Sequence, residues 1–220
     1  MKMLKLSWII SIIILVISIY VVQSVPSDMQ LPIHWNIDGA VDRYGNASTV
    51  LFMLPGVLML ILALFSSLKY IDPRKENIAM SQKSIGAFSL AFSVFVAVME
   101  AGYIAVINDK EVQIMLIITF SMGMLFMMIG NYLSKTRSNF FIGIRTPWTL
   151  SSDVVWKKTH DLAGKLFMVV GLVIAGSCWF ISTNTLMSLV IFTVLPAALV
   201  PVIYSWWLWQ QEQGEQSKPS

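Results

Sequence analysis

Six apolar stretches, each long enough to cross a lipid bilayer as a helix, constrain this chain more than anything else in it. They cover residues 6–23, 50–68, 85–107, 112–133, 162–181 and 185–209. A hydrocarbon core about 30 Å thick takes about 20 mostly apolar residues at a rise of about 1.5 Å each. Within that core every backbone N–H and C=O must be paired inside the protein, so the stretches must be helices. The sequence therefore predicts an all-α, polytopic integral membrane protein with six transmembrane helices. Composition agrees, with 56% of residues hydrophobic, 12% charged and a mean hydropathy of +0.72. A water-soluble domain carries about 25% charged residues, and the connections here are too short to hold one. The net charge of +3 and pI near 9.0 do not call for direct nucleic-acid binding, because the basic residues flank spans instead of lining a soluble face. Lys2 and Lys5 ahead of an apolar run imitate a signal peptide, but no small-x-small cleavage site follows, so the first span is expected to stay. The single cysteine, Cys178, excludes a disulfide framework within one chain.

Lysine and arginine resist translocation and collect in cytoplasmic loops. With the N-terminus inside, Lys2, Lys5, Lys69, Arg74, Lys75, Lys83, Lys135, Arg137, Arg145, Lys157, Lys158, Lys165 and Lys218 all fall inside, and only Arg43 and Lys110 outside. Both termini are therefore expected in the cytoplasm. Trp206, Trp207 and Trp209 at the end of the last span, with Trp148 and Trp156 in the fourth loop, suit an interfacial aromatic belt. The organisation reads as an N-terminal membrane domain, 1–110, with an extracellular loop at 26–49, and a C-terminal one, 111–220, with a cytoplasmic loop at 134–162. The connections 108–111 and 182–184 are hairpin-short. In the fourth loop, Ser151 or Ser152 can cap a helix that Asp153 favours in its first turn. Val155, Thr159, Leu162 and Leu166 then follow helical spacing. An interfacial amphipathic helix is expected here, bending near Gly164 into the fifth span. Gly171-x-x-x-Ala175 permits close helix packing.

Candidate chemistry is sparse. His34, Asp38 and Asp42 in the outer loop could hold a cation, although turn chemistry accounts for the Asp and Gly residues without one. Glu100 is the only acidic residue deep in a span, about 10 Å from the outer end of its helix. An intramembrane carboxyl is costly and is by default a functional candidate, here for a proton or a cationic substrate, against a plain buried carboxyl facing the bundle. The lack of a second titratable group at depth argues against a proton-coupled pump. No HExxH, GxSxG, P-loop or GxGxxG motif occurs, and His34 and His160 are expected on opposite sides of the membrane. The chain is not expected to be an enzyme or to need a cofactor or metal. The most unusual string is 139–150, where Arg145 precedes Thr146-Pro147-Trp148. Pro147 biases Thr146 towards extended backbone.

Two strings together resemble a known family. Pro32-x-His34-Trp35-Asn36-x-x-Gly39-x-x-Asp42-x-x-Gly45 is similar to an N-terminal membrane domain of unknown function. Gly130-Asn131-Tyr132, the run Asn139-Phe140-Phe141-Ile142-Gly143-Ile144-Arg145-Thr146-Pro147-Trp148-Thr149-Leu150, and Val155-Trp156-x-x-Thr159-His160-x-x-Ala163-Gly164 resemble the C-terminal region of the SdpI immunity proteins. The resemblance implies a bacterial plasma-membrane protein that protects a cell from a secreted peptide toxin. It also implies a possible signalling role, in which a helix-turn-helix repressor is held at the inner surface. On this reading His34, Trp35, Asn36, Asp42 and Glu100 face the toxin. Asn139, Gly143, Arg145, Thr146, Pro147, Trp148, Trp156 and His160 form the inner motif that meets a partner. A small transporter or exporter working through Glu100, and a membrane sensor without a toxin partner, are the alternatives.

Overall fold

The computed structural model describes residues 2–108 and 110–216, without the side chains of Asn184 and Gln216. Asp109, in the third connection, and Lys218, counted above among the inner basic residues, lie outside them. Six long helices form the bundle: α1 (Lys2–Val22), α2 (Ala47–Ile71), α4 (Gln82–Ile107), α5 (Ile114–Leu133), α7 (Asp153–Ser177) and α8 (Thr183–Gln216). Two short helices sit in connections, α3 (Lys75–Met80) and α6 (Pro147–Ser151). The fold is that of an all-α polytopic membrane protein, with one addition. The loop after α1 contains an antiparallel hairpin, β1 (Gln30–Trp35) and β2 (Val41–Asn46). We call this end of the bundle the hairpin end and the opposite one the motif end.

The pattern of burial is what a lipid solvent dictates. On α1 the serines Ser7, Ser11 and Ser18 are fully buried, while Ile9, Ile12, Ile13 and Val16 are exposed. In water this helix would be inside out; in hydrocarbon, isoleucine is the compatible exterior and the hydroxyls belong inside. Each serine donates to a carbonyl of its own preceding turn, for example Ser7 to Met3 and Ser18 to Ile14, both at 2.9 Å. The hydroxyls are thereby satisfied without a neighbour. Small side chains then let α1 lie against α4, which buries Ser89 and Ser93 in the same way. The two helices run parallel, with Gly86 beside Met3 and Glu100 beside Ser18.

The tightest contact joins α5 to α7. A Cβ placed on Gly123 would come within 2.7 Å of Ala175 N, and one on Gly171 within 2.5 Å of Gly123 O. Gly130 meets Gly164 in the same fashion one pair of turns away. The Gly171-x-x-x-Ala175 spacing therefore serves packing within the chain.

Two expectations are corrected here. The amphipathic segment that starts at Asp153 is not a separate interfacial helix with a bend at Gly164; it is the first half of one unbroken helix, α7. Gly164 supplies room for α5 instead of a hinge. The separate element is α6, a single turn that Pro147 starts and Ser152 ends. Beyond Trp209, α8 continues as helix to Gln216, so it is about 50 Å long and carries Trp206, Trp207 and Trp209 in its last third.

Candidate functional site

At the hairpin end, local chemistry builds the loop. Asn36 Oδ1 accepts the N–H groups of Asp38 (3.0 Å) and Ala40 (2.9 Å), and Gly39 takes a φ of 76° that suits glycine. Leu31 is fully buried in a cluster with Ala47, Val50, Met99, Tyr103 and Ile114, and Trp35 packs on it. Tyr103 donates to Pro32 O at 2.8 Å and Ser188 to Ile37 O at 3.0 Å, which fixes the hairpin to α4 and α8. His34 pairs with Arg43 across a bulged stretch of the ladder. Its ring Nδ1 lies 2.6 Å from Asp42 Oδ1, and both side chains are exposed. Among the described residues no group of three His, Cys, Asp or Glu could hold a metal ion.

Glu100 does not join His34 and Asp42. It is 3% exposed inside the bundle, where Oε1 is 2.6 Å from Ser18 Oγ and Oε2 has no partner among the described residues.

The motif end is a folded knot of loops. Asn139 is 1% exposed. Its Oδ1 accepts from Phe141 and Ile142 N–H, and its Nδ2 donates to Arg137 and Ile142 carbonyls. All of its amide capacity goes into turning the backbone. Gly143 has φ of +106°, and a Cβ there would fall on His160 Nε2. His160 Nε2 accepts the Ile144 N–H at 2.9 Å, which assigns the ring hydrogen to Nδ1, 2.8 Å from Trp156 O. The imidazole stacks on the Trp156 indole with centroids 4.0 Å apart, and that indole donates to Thr136 O at 3.0 Å. Thr146 and Thr149 form a capping box for α6. Thr149 Oγ1 also donates to Ile144 O at 2.8 Å, and Thr146 Oγ1 is 3.1 Å from Ser205 Oγ of α8.

This geometry corrects the assignment of Trp156 and His160 to an exposed inner surface. They are 2% and 0% exposed and shape the loop from beneath. What the loop presents outward is Phe140, Arg145, Pro147 and part of Trp148. Arg145 Nη1 donates to Phe140 O at 2.9 Å, leaving the rest of its guanidinium free to meet an acceptor.

Sequence reasoning passed over the connection between α2 and α4, which holds the motif loop from the other side. Asp72 is fully buried; its Oδ1 accepts Arg74 N–H (2.7 Å) and its Oδ2 accepts Phe140 N–H (2.9 Å). Arg74 donates to Leu150 O at 2.7 Å and to Ser138 Oγ, and lies over the Phe140 ring. Asn77 donates to Ser138 O, and Ser81 accepts Arg137 N–H. The only signal for this was an Asp-x-Arg immediately after a span, a pattern too short to stand out.

Comparison with known proteins bears on both ends. Residues 135–205, which hold the motif loop, match the SdpI/YfhL protein family, and residues 9–59, which hold the hairpin, match a domain of unknown function, DUF1648. Immunity protein SdpI of Bacillus subtilis (strain 168) is 26% identical over 210 residues, spanning 94% of this chain and 97% of that protein. The chain is similar to the SdpI proteins, over its C-terminal third by family model and over most of its length by this relative. It is accordingly a multi-pass bacterial membrane protein. No solved structure gives a significant match, so the packing of this bundle rests on its own helices and their contacts.

Proposed function

We propose that this protein confers immunity to a secreted peptide toxin, with the hairpin end facing outwards and the motif end facing the cytoplasm. The observation that carries this reading is the nearly end-to-end likeness to a protein named for immunity. The charge distribution supports the orientation, since among the described residues Arg43 and Lys110 are the only lysines or arginines at the hairpin end. The toxin meets the exposed His34–Asp42 pair, with Trp35 and Asn36 holding the strand ends that present it. Glu100, buried behind α1, is reached only if the toxin inserts between helices.

At the motif end, Phe140, Arg145, Pro147 and Trp148 form the contact face for a cytoplasmic partner, a helix-turn-helix repressor in the signalling version of this reading. Asn139, Gly143, Thr146, Trp156 and His160 give that face its shape. Challenge of toxin-sensitive cells expressing the chain tests immunity directly: survival is expected, and killing at normal membrane abundance overturns the proposal. Arg145→Ala and Trp148→Ala, at normal abundance, should abolish repressor recruitment to membranes; unchanged recruitment removes the motif face from the scheme.

The unpartnered Oε2 of Glu100 favours one rival, a small transporter. Substrate-dependent flux in proteoliposomes that is lost in Glu100→Gln would replace the immunity reading.

A further inference from the structure

At the motif end, α1, α2, α3 and α4 enclose a cavity of about 230 Å³ that neither the hairpin nor the motif loop uses. Its chemistry changes with depth. Lys5 near the start of α1, Lys69 near the end of α2 and Gln82 at the start of α4 form the rim. One helical turn deeper the lining is apolar, with Trp8, Phe65 and Gly86. Trp8 Nε1 is already satisfied by Ser66 Oγ at 3.1 Å, so the indole offers an apolar face to the space. Gly86 lets α4 lie close to α1 at this depth, where an added Cβ would come within 3.2 Å of the Met3 side chain. Both lysines are exposed, no acidic residue lines the cavity, and neither lysine has an ion-pair partner among the described residues.

Two exposed cations without an acidic partner, one of them (Lys69) resting over the exposed Tyr70 ring at 4.5 Å, stand above an apolar slot and complement one kind of molecule. We propose that this cavity binds an anionic phospholipid, its phosphate between Lys5 and Lys69 and an acyl chain against Trp8 and Phe65. Cationic side chains beside a span attract anionic headgroups, while the depth gradient excludes a free soluble anion, which would leave the slot unfilled. The bound lipid bridges α1 to α2 where, among the described residues, Trp8 and Ser66 make the polar contact between them.

Native mass spectrometry of the purified full chain, titrated with phosphatidylglycerol and with phosphatidylcholine, tests the charge. The expected result is one phosphatidylglycerol bound in preference by on the order of tenfold, falling to parity in the Lys5→Gln/Lys69→Gln double variant. Equal binding of the two lipids, or a preference that survives the double variant, overturns the proposal. Phosphatidylglycerol brominated on its acyl chain tests the place. Wild-type emission should be quenched more than that of Trp8→Phe. Equal quenching puts the lipid elsewhere and overturns the proposal even if the charge preference holds.

Discussion

Replacing His160 should unfasten the motif loop, and the cost can be worked from its contacts. The ring accepts the Ile144 N–H at 2.9 Å, donates to Trp156 O and stacks on the Trp156 indole at 4.0 Å. His160→Ala leaves the Ile144 N–H without a partner in a partly buried site, a loss of about 1–3 kcal/mol. It also forfeits the ring stack, worth about 0.5–1.5 kcal/mol. Together these give about 1.5–4.5 kcal/mol, since the carbonyl of Trp156 keeps its helical bond. His160→Phe retains the ring and loses only the polar part, so it should fall between wild type and alanine. The read-out is unfolding in detergent followed by alkylation of Cys178, the single cysteine. It caps the far end of α7 and is half-buried in the fold, so the unfolding midpoint is read from the rise in its alkylation above the folded chain's own rate.

Gly143→Ala supplies the second half of a cycle. Its Cβ would fall on His160 Nε2, so it should destabilise the wild type by more than it destabilises His160→Ala, where that clash is gone. If His160→Ala and His160→Phe both unfold within about 0.5 kcal/mol of wild type, or if the two substitutions simply add, His160 is not what holds Gly143 and Ile144 in place.

Other consequences are simpler to read. Gly123→Ala and Gly171→Ala should each cost about 1–3 kcal/mol by overpacking α5 against α7, whereas a Cβ on Gly56 meets nothing within 4 Å and Gly56→Ala should be neutral or stabilise by up to about 1 kcal/mol; the same alkylation assay ranks the three. Arg74→Lys should impair motif-end function nearly as much as Arg74→Ala, because a lysine cannot reach Leu150 O and Ser138 together while stacking on Phe140; wild-type recruitment of the repressor to membranes by Arg74→Lys would show that charge alone suffices. His34→Ala and Asp42→Ala should change stability by less than about 1 kcal/mol, as expected of an exposed pair, yet lower protection against toxin; protection at wild-type level removes the pair from the contact surface.

The six spans were legible because membrane solvation writes them as length and apolarity, signals that need no partner. The cap at Ser152 and the first-turn Asp153 were legible for the same local reason. The hairpin was not: Pro32 within β1 weakens a strand pattern, and what holds the hairpin is Leu31 buried against α2 and α4. The role of Gly164 was misread because a glycine in a helix is equally consistent with a hinge and with a close approach, and only Gly130 opposite decides. The motif string was visible, but not which residues point in. Trp156 and His160 look like binding residues by type and are buried by the turn that Asn139 and Gly143 impose. The contribution of Asp72 and Arg74 depends on contacts more than 60 positions away in the chain, which no local pattern encodes.

The stitching at the motif end also bears on modularity. The hairpin region and the motif region match two different sequence families, which invites the view that they are exchangeable parts. The backbone groups of Phe140, Arg137, Ser138 and Leu150 find their partners on Asp72, Ser81, Asn77 and Arg74, and Ser84 reaches Tyr132 O. A C-terminal half expressed alone would carry those groups unmatched, and a hybrid joining halves from two relatives would work only if the short polar connection before α4 travelled with the loop it completes. By these contacts the structural unit at this end is the pair of loops, not either run of three spans.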